Sequence, residues 1–301
     1  MPVRRSSFAT TVSARRPGII ITRWWTTCWV AMAFHRHQIW NAVSDGTVGM
    51  AKVIGFALGI WFAMHGALLF AQPGTIPLPD DPIATIYPHE RINVAGLARA
   101  YRLVVPATVA AGKIAPLVFA FHGLSDSKDR FAQYSRLDDL ARHQGFVLVY
   151  PNAKAMFWPL TVEWAREDFA FFDALYAQVT LTYNIDPHRV YLIGNSNGAY
   201  FSHLLASHRS ERIAAIAVHS GGLGIVVPGA TQSANKYAVF AVHGTIDPVV
   251  PVAESRKVRQ AYEAAGHVVE YLEIAGHDHR WAGHVDVNGR IWKFLFAHAR
   301  R

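Results

Sequence analysis

The segment RVYLIGNSNGAYFSHLLA, residues 189–206, opens on apolar Val190, Leu192 and Ile193 and reads as a buried strand. From Asn197 onward the pattern is helical, and Gly194-Asn195-Ser196-Asn197-Gly198 lies between the two. A serine placed where a buried strand becomes a helix stands at a sharp turn. Such a turn lifts the hydroxyl clear of the sheet and forces backbone segments together. Gly194 and Gly198, two residues to either side of Ser196, remove the side chains that would collide there. The following helix aims backbone N–H groups and the positive end of its dipole at the serine. A G-x-S-x-G match alone is weak, because glycine and serine are common. The strand–turn–helix setting makes Ser196 a candidate nucleophile, against the alternative of a glycine-rich turn with a capping serine.

Working outward, PLVFAF (116–121) and FVLVY (146–150) are continuous apolar runs, as buried parallel strands should be. AYRLVV (100–105) alternates and reads as an early strand, and residues 213–218, 237–242 and 268–274 are further strand candidates. Helices are expected over 128–143, 167–183, 252–265 and 291–299. Strands alternating with helices imply a mostly parallel central sheet covered on both faces, in a single domain spanning 89–301.

The 301 residues are 51% hydrophobic and 17% charged, enough to build a sizeable core and too apolar for a disordered chain. The net charge of +8 is uneven: residues 1–49 carry six Lys/Arg against one Asp. The rest is only mildly basic, so no nucleic-acid partner is expected. The single cysteine, Cys28, precedes the domain, which excludes a disulfide or thiolate metal site within it.

Lys52 followed by the apolar run Val53–Phe70 and by Ala71-Gln72 has the layout of a secretory signal peptide. Residues 50–71 are therefore read as a signal peptide, with Met50 as the start and 1–49 as an upstream extension. Left uncleaved, the same run is long enough to act as a membrane anchor. The expected location is secreted or periplasmic, or membrane-anchored in the uncleaved case. Residues 72–88, with Pro77, Pro79, Pro82 and Pro88, read as a linker.

A serine hydroxyl needs a base to take its proton, and the base needs an orienting acid. Asp247 lies in the loop beyond the strand ending at Val242, where such an acid belongs. His277, His279 and His284 lie in the loop beyond Ile274, and one of them is expected to be the base. Zinc binding by this histidine-rich loop is a competitor, but its spacing defines no metal site, and neither metal nor cofactor is expected. The N–H groups of Leu124, after a buried strand, and of Asn197, after the nucleophile, are the expected oxyanion donors. His122 reads as a core histidine bonded to backbone. Met156, Phe157, Trp158 and Trp164 form either an aromatic acyl pocket or ordinary loop packing, and Trp281 is the stronger candidate for a pocket wall. Asp186 is read as a turn residue and Asp168 as a helix-dipole partner in a first turn.

The segments GLARAYRLVVPA, APLVFAFHG, GFVLVYPNA, REDFAFFDAL, YNIDPHRVYLIGNSNGAY and HRWAG occur in the order found in one family. Over residues 90–300 the chain resembles the esterases that include poly(3-hydroxybutyrate) depolymerases, feruloyl esterases and acetyl xylan esterases. The resemblance implies an α/β-hydrolase fold and a serine carboxylesterase. It implies Ser196 as nucleophile, Asp247 as acid and His279, in its His-x-Trp setting, as base, with His277 as the fallback. The implied substrate is a hydroxyalkanoate oligomer or an acylated polysaccharide. A serine peptidase on the same fold is the alternative, followed by a metal-dependent hydrolase. This chain departs from many members in having Leu124 where they have cysteine and Ala282 where they have proline.

Overall fold

The computed structural model describes residues 83–224 and 229–300. The expectations for residues 1–49 and 50–71, and for the linker up to residue 82, lie outside the described residues. Eight strands form one sheet: β1 (Ala84–Val94), β2 (Leu97–Pro106), β3 (Ala115–Phe121), β4 (Val147–Pro151), β5 (Ile185–Asn195), β6 (Ala215–His219), β7 (Ala238–Gly244) and β8 (Val269–Ile274). Their order is β1-β2-β4-β3-β5-β6-β7-β8. The β1–β2 and β2–β4 pairs are antiparallel, and every ladder from β4 to β8 is parallel. This is the α/β-hydrolase fold.

Alternation along each strand divides the core into two layers. Leu117, Phe119 and Phe121 of β3, Val147 and Val149 of β4, and Val190 and Leu192 of β5 enter one cluster. Phe169, Phe172, Phe201, Leu204 and Val258 close it from the helices α3 (Val162–Thr182), α4 (Asn197–His208) and α5 (Val252–Ala264). Val118, Ala120, Leu148, Tyr150, Tyr191 and Ile193 face the other way. They meet Phe131, Leu137, Ile291 and Leu295 of α1 (Lys128–Ser135), α2 (Leu137–Gln144) and α6 (Val287–Ala297). Both faces of β3 to β5 are covered, which is why those strands are apolar without a break. Among the described residues no helix is long and apolar enough to cross a membrane.

Several boundaries differ from expectation. β1 begins at Ala84, inside the segment read as linker. It is an edge strand, and its register shifts between Tyr87 and Glu90, a bulge that takes in Pro88, so the missing N–H of the proline costs no ladder bond. The helix expected over 128–143 is two helices, because Arg136 between them adopts a left-handed φ of 55°. Asp186 lies within β5 rather than in a turn before it. The register slips between Ala115 and Leu117 opposite, and Asp186 accepts from the His188 N–H at 2.9 Å.

Asp168 is also corrected. α3 starts five residues before the expected position, which moves Asp168 out of the first turn and into the core. There Arg99 of β2 donates to it at 2.6 Å, with both side chains 6% exposed. Burial pushes the Asp168 carboxyl above its ordinary range, and the Arg99 hydrogen bond and charge oppose this only in part. The guanidinium also covers the Phe171 ring at 4.2 Å and donates to Asn152 O at 3.3 Å. Arg99→Ala would leave an uncompensated buried carboxylate, and a loss of about 3–5 kcal/mol in urea unfolding is expected.

Candidate active site

The loops after β3, β5, β7 and β8 all open at the same edge of the parallel sheet, the edge where such folds carry their sites. Ser196 sits at the end of β5 as the N-cap of α4, with φ 52° and ψ −117°. That backbone is strained for a residue with a Cβ. It is held by the Ser196 N–H, which donates to His219 O at 2.9 Å. The flanking glycines answer the crowding expected of the turn. A Cβ on Gly194 would lie 2.3 Å from Gly198 O, and one on Gly198 would lie 2.1 Å from Phe121 O. Strand, helix and the end of β3 therefore meet backbone to backbone.

His279 reaches Ser196 from the loop after β8. Its Nδ1 lies 2.7 Å from Asp247 Oδ2 and its Nε2 lies 2.9 Å from Ser196 Oγ. A carboxylate only accepts, so Nδ1 carries the proton, and in the neutral ring Nε2 accepts from the serine hydroxyl. Asp247 is fixed independently: its Oδ1 accepts the N–H groups of Val249 at 2.8 Å and Val250 at 2.9 Å. The acid and histidine loops are also stitched together, Thr245 N–H donating to Ile274 O at 3.0 Å and Ile246 N–H to His277 O at 3.1 Å.

A second imidazole touches the acid, and sequence reasoning passed over it. His243, wholly buried at the end of β7, places Nε2 3.1 Å from Asp247 Oδ2 and 2.8 Å from Val250 O. Its Nδ1 is bonded to Ser255 Oγ, which donates to Gly221 O at 3.1 Å. Two acceptors face Nε2, so that nitrogen donates. The only signal for it in sequence was its place four residues before Asp247. Burial alone would raise the Asp247 pKa, but the hydrogen bonds from His243 and His279, the charge on His279 and the Val250 N–H hold it far below the usual carboxylate range.

The other histidines of the loop turn elsewhere. His277 donates Nε2–H to Arg280 O at 2.7 Å, and its ring packs on His284 at 4.7 Å. Asp278 pairs with Arg280 at 2.9 Å rather than with His279. Among the described residues no group of three or more His, Cys, Asp or Glu is arranged to hold a metal ion.

Ser125 N–H is spent on Met156 O at 2.8 Å, whereas neither Leu124 N–H nor Asn197 N–H has a backbone acceptor among the described residues. His122 is a core histidine. It donates Nδ1–H to Gly123 O at 2.8 Å, accepts from Ala153 N–H at 3.1 Å, and is kept neutral chiefly by burial.

Of the three candidate pocket tryptophans, Trp158 and Trp281 are buried and Trp164 is exposed. Trp158 is 1% exposed and stacks on Phe201 with centroids 4.9 Å apart, inside the core. Trp164 is 54% exposed on the first turn of α3, and among the described residues no hydrogen bond or ring contact ties it to Ser196, His279 or Asp247. Trp281 is buried beneath the histidine loop, stacked on His219 at 4.9 Å and donating Nε1–H to Asn288 at 3.0 Å. The His219 ring it covers is held neutral, its pKa lowered to about 3 by burial first and by His277, His243 and His279 next. Leu124, Met156 and Ile246, one on each of the loops after β3, β4 and β7, are exposed apolar side chains.

The family described as Esterase PHB depolymerase matches residues 99–276, more than half of the chain. The chain belongs to the esterase PHB depolymerase family. The matched span takes in Ser196 and Asp247 and ends three residues before His279. Among curated members of wider kinship, a bifunctional acetylxylan esterase/xylanase of Neocallimastix patriciarum is 31% identical over 55% of this chain. Feruloyl esterase D of Neurospora crassa is 28% identical over 56% of it. The chain spans 24% and 60% of those two proteins' own lengths. A solved ferulic acid esterase superposes with a TM-score of 0.58 at 16% identity, covering 71% of this chain and 98% of its own, a likeness of fold.

Proposed function

We propose that this member of the esterase PHB depolymerase family is a serine carboxylic-ester hydrolase working through an acyl-enzyme. The observation that carries the reading is the unbroken Ser196–His279–Asp247 hydrogen-bonded chain on a strained, glycine-flanked turn. His279 Nε2 takes the Ser196 proton as Oγ attacks the ester carbonyl, and Asp247 stabilises the imidazolium that results. The tetrahedral oxyanion lies against Leu124 N–H and Asn197 N–H, each donor lowering the barrier by about 3–4 kcal/mol. His279 then protonates the leaving alcohol, and water, activated by the same imidazole, releases the acid.

The substrate classes are those of the relatives' names, feruloyl or acetyl esters of polysaccharide, or hydroxyalkanoate oligomers as the family name indicates. The exposed apolar side chains of Leu124, Met156 and Ile246, on the loops after β3, β4 and β7, support an acyl chain with a hydrophobic body. Export through residues 50–71 is part of the same proposal, and the Lys52, apolar run and Ala71-Gln72 layout of that segment supports it. An organophosphate tests the central claim. It should add one phosphoryl group to Ser196 and abolish hydrolysis of a short aryl ester, and mapping the label to another residue would overturn the reading. Faster turnover of a peptide amide than of the matched ester would favour the peptidase alternative.

A further inference from the structure

Trp158, in the loop after β4, bonds both halves of the oxyanion site at once. Its peptide is gripped by the Asn197 side chain: Trp158 N–H donates to Asn197 Oδ1 at 2.6 Å, and Asn197 Nδ2–H donates to Trp158 O at 3.0 Å. Its indole reaches the other way, Nε1–H donating to His122 O at 3.0 Å. Asn197 bears one expected oxyanion donor on its own backbone. His122 lies two residues before Leu124, which bears the other. The helix that starts at Asn197 and the chain after β3 approach closely at Gly198, where a Cβ would lie 2.6 Å from His122 O. Trp158 bonds to both segments and supplies a bridge between them.

We infer that Trp158, together with the Asn197 amide side chain, is a positioning residue that sets the separation of the Leu124 and Asn197 N–H groups. The bridge is rigid. The indole is buried, stacked on Phe201 at 4.9 Å and edge-on to Phe121 at 5.2 Å. Ahead of Trp158 its loop is pinned by Ala153 N–H on His122 Nε2 and by Ser125 N–H on Met156 O. Donors that stabilise an oxyanion act through preorganisation, and small displacements weaken them steeply. A buried tryptophan with its N–H spent on the carbonyl beside the donor loop supplies that fixity. Asn197 thereby has two roles, one for its backbone and one for its side chain.

The inference rests on Ser196 being the nucleophile, and the test separates the two. Trp158→Phe keeps the ring stack and removes the N–H to His122 O. Asn197→Ala keeps the backbone donor and releases the Trp158 peptide. Activity is counted per site titrated by organophosphate, so misfolded protein does not enter. The probe is an alkyl trifluoromethyl ketone. Ser196 Oγ bonds to its carbonyl carbon, the C=O π pair moves to oxygen as an oxyanion, and the hydroxyl proton passes to His279. In both variants kcat for an aryl ester should fall about tenfold, KM should stay within about twofold, and Ki for the ketone should rise about tenfold in parallel. A lowered Tm with kcat per site and ketone Ki unchanged in either variant makes the bridge ordinary packing and overturns the inference. Failure of the unaltered protein to be labelled at Ser196 overturns the proposed function, and the inference falls with it.

Discussion

Replacing Ser196 by alanine is expected to lower kcat/KM for a short ester by about 10⁵-fold or more, leaving only what binding and the oxyanion donors provide without a nucleophile. The substitution is clean for a structural reason. Alanine keeps the Cβ, so the backbone at φ 52° and the Ser196 N–H bond to His219 O are undisturbed. It removes only the Oγ that lies 2.9 Å from His279 Nε2. Urea unfolding should therefore be unchanged within about 0.5 kcal/mol. Retention of even a tenth of the unaltered rate would mean that the hydroxyl is not the attacking group.

Asp247→Asn is the more informative loss, with an expected fall in kcat of about 10⁴-fold. Asp247 Oδ1 accepts two backbone N–H groups, from Val249 and Val250, so an asparagine must keep its oxygen there. Its amide nitrogen is then turned toward His279 Nδ1 and His243 Nε2, both of which donate to the carboxylate. An N–H facing Nδ1 selects the tautomer with the proton on Nε2, pointing at Ser196 Oγ, and that imidazole cannot act as a base. The carboxylate also links stability to pH. Its folded pKa is depressed below the unfolded value, so its contribution is complete above about pH 4 and is lost as pH falls through the folded value. The asparagine variant should show a flatter decline of unfolding free energy in that acid window, measured by urea titration from neutral pH downward. A decline as steep as the parent's would remove Asp247 as the source of that acid sensitivity.

These predictions draw on residues that differ in how openly the chain displays them. Ser196 was legible because a strand, a helix and two glycines converge on it within eighteen residues, and Asp247 because it follows a strand by five. His279 stood among three histidines of equal standing by position, and only its tryptophan neighbour and the family resemblance singled it out. Geometry separates them: His277 spends its Nε2 on Arg280 O, while His279 spans serine and acid. His243 was passed over because a histidine inside a buried strand carries no periodic signal of its own. The sequence left an aromatic pocket and ordinary loop packing both open, because a tryptophan reads the same whether it faces solvent, as Trp164 does, or lies in the core, as Trp158 does. β1 was masked by Pro88, which an edge strand tolerates at a bulge and a central strand would not.

The order of apolar runs and glycine-bracketed turns by itself determined a parallel, two-faced sheet with a serine raised at its rim. Local sterics and the period of burial need no partner beyond the neighbouring residues. Tertiary structure decided how His279 and His243 both meet Asp247, which acid is buried against Arg99, and which tryptophan bonds both Asn197 and His122. Those choices depend on loops brought together from more than thirty residues apart. Where a side chain ends up there is set by the hydrogen bonds and packing it meets on arrival, and no spacing along the chain encodes them.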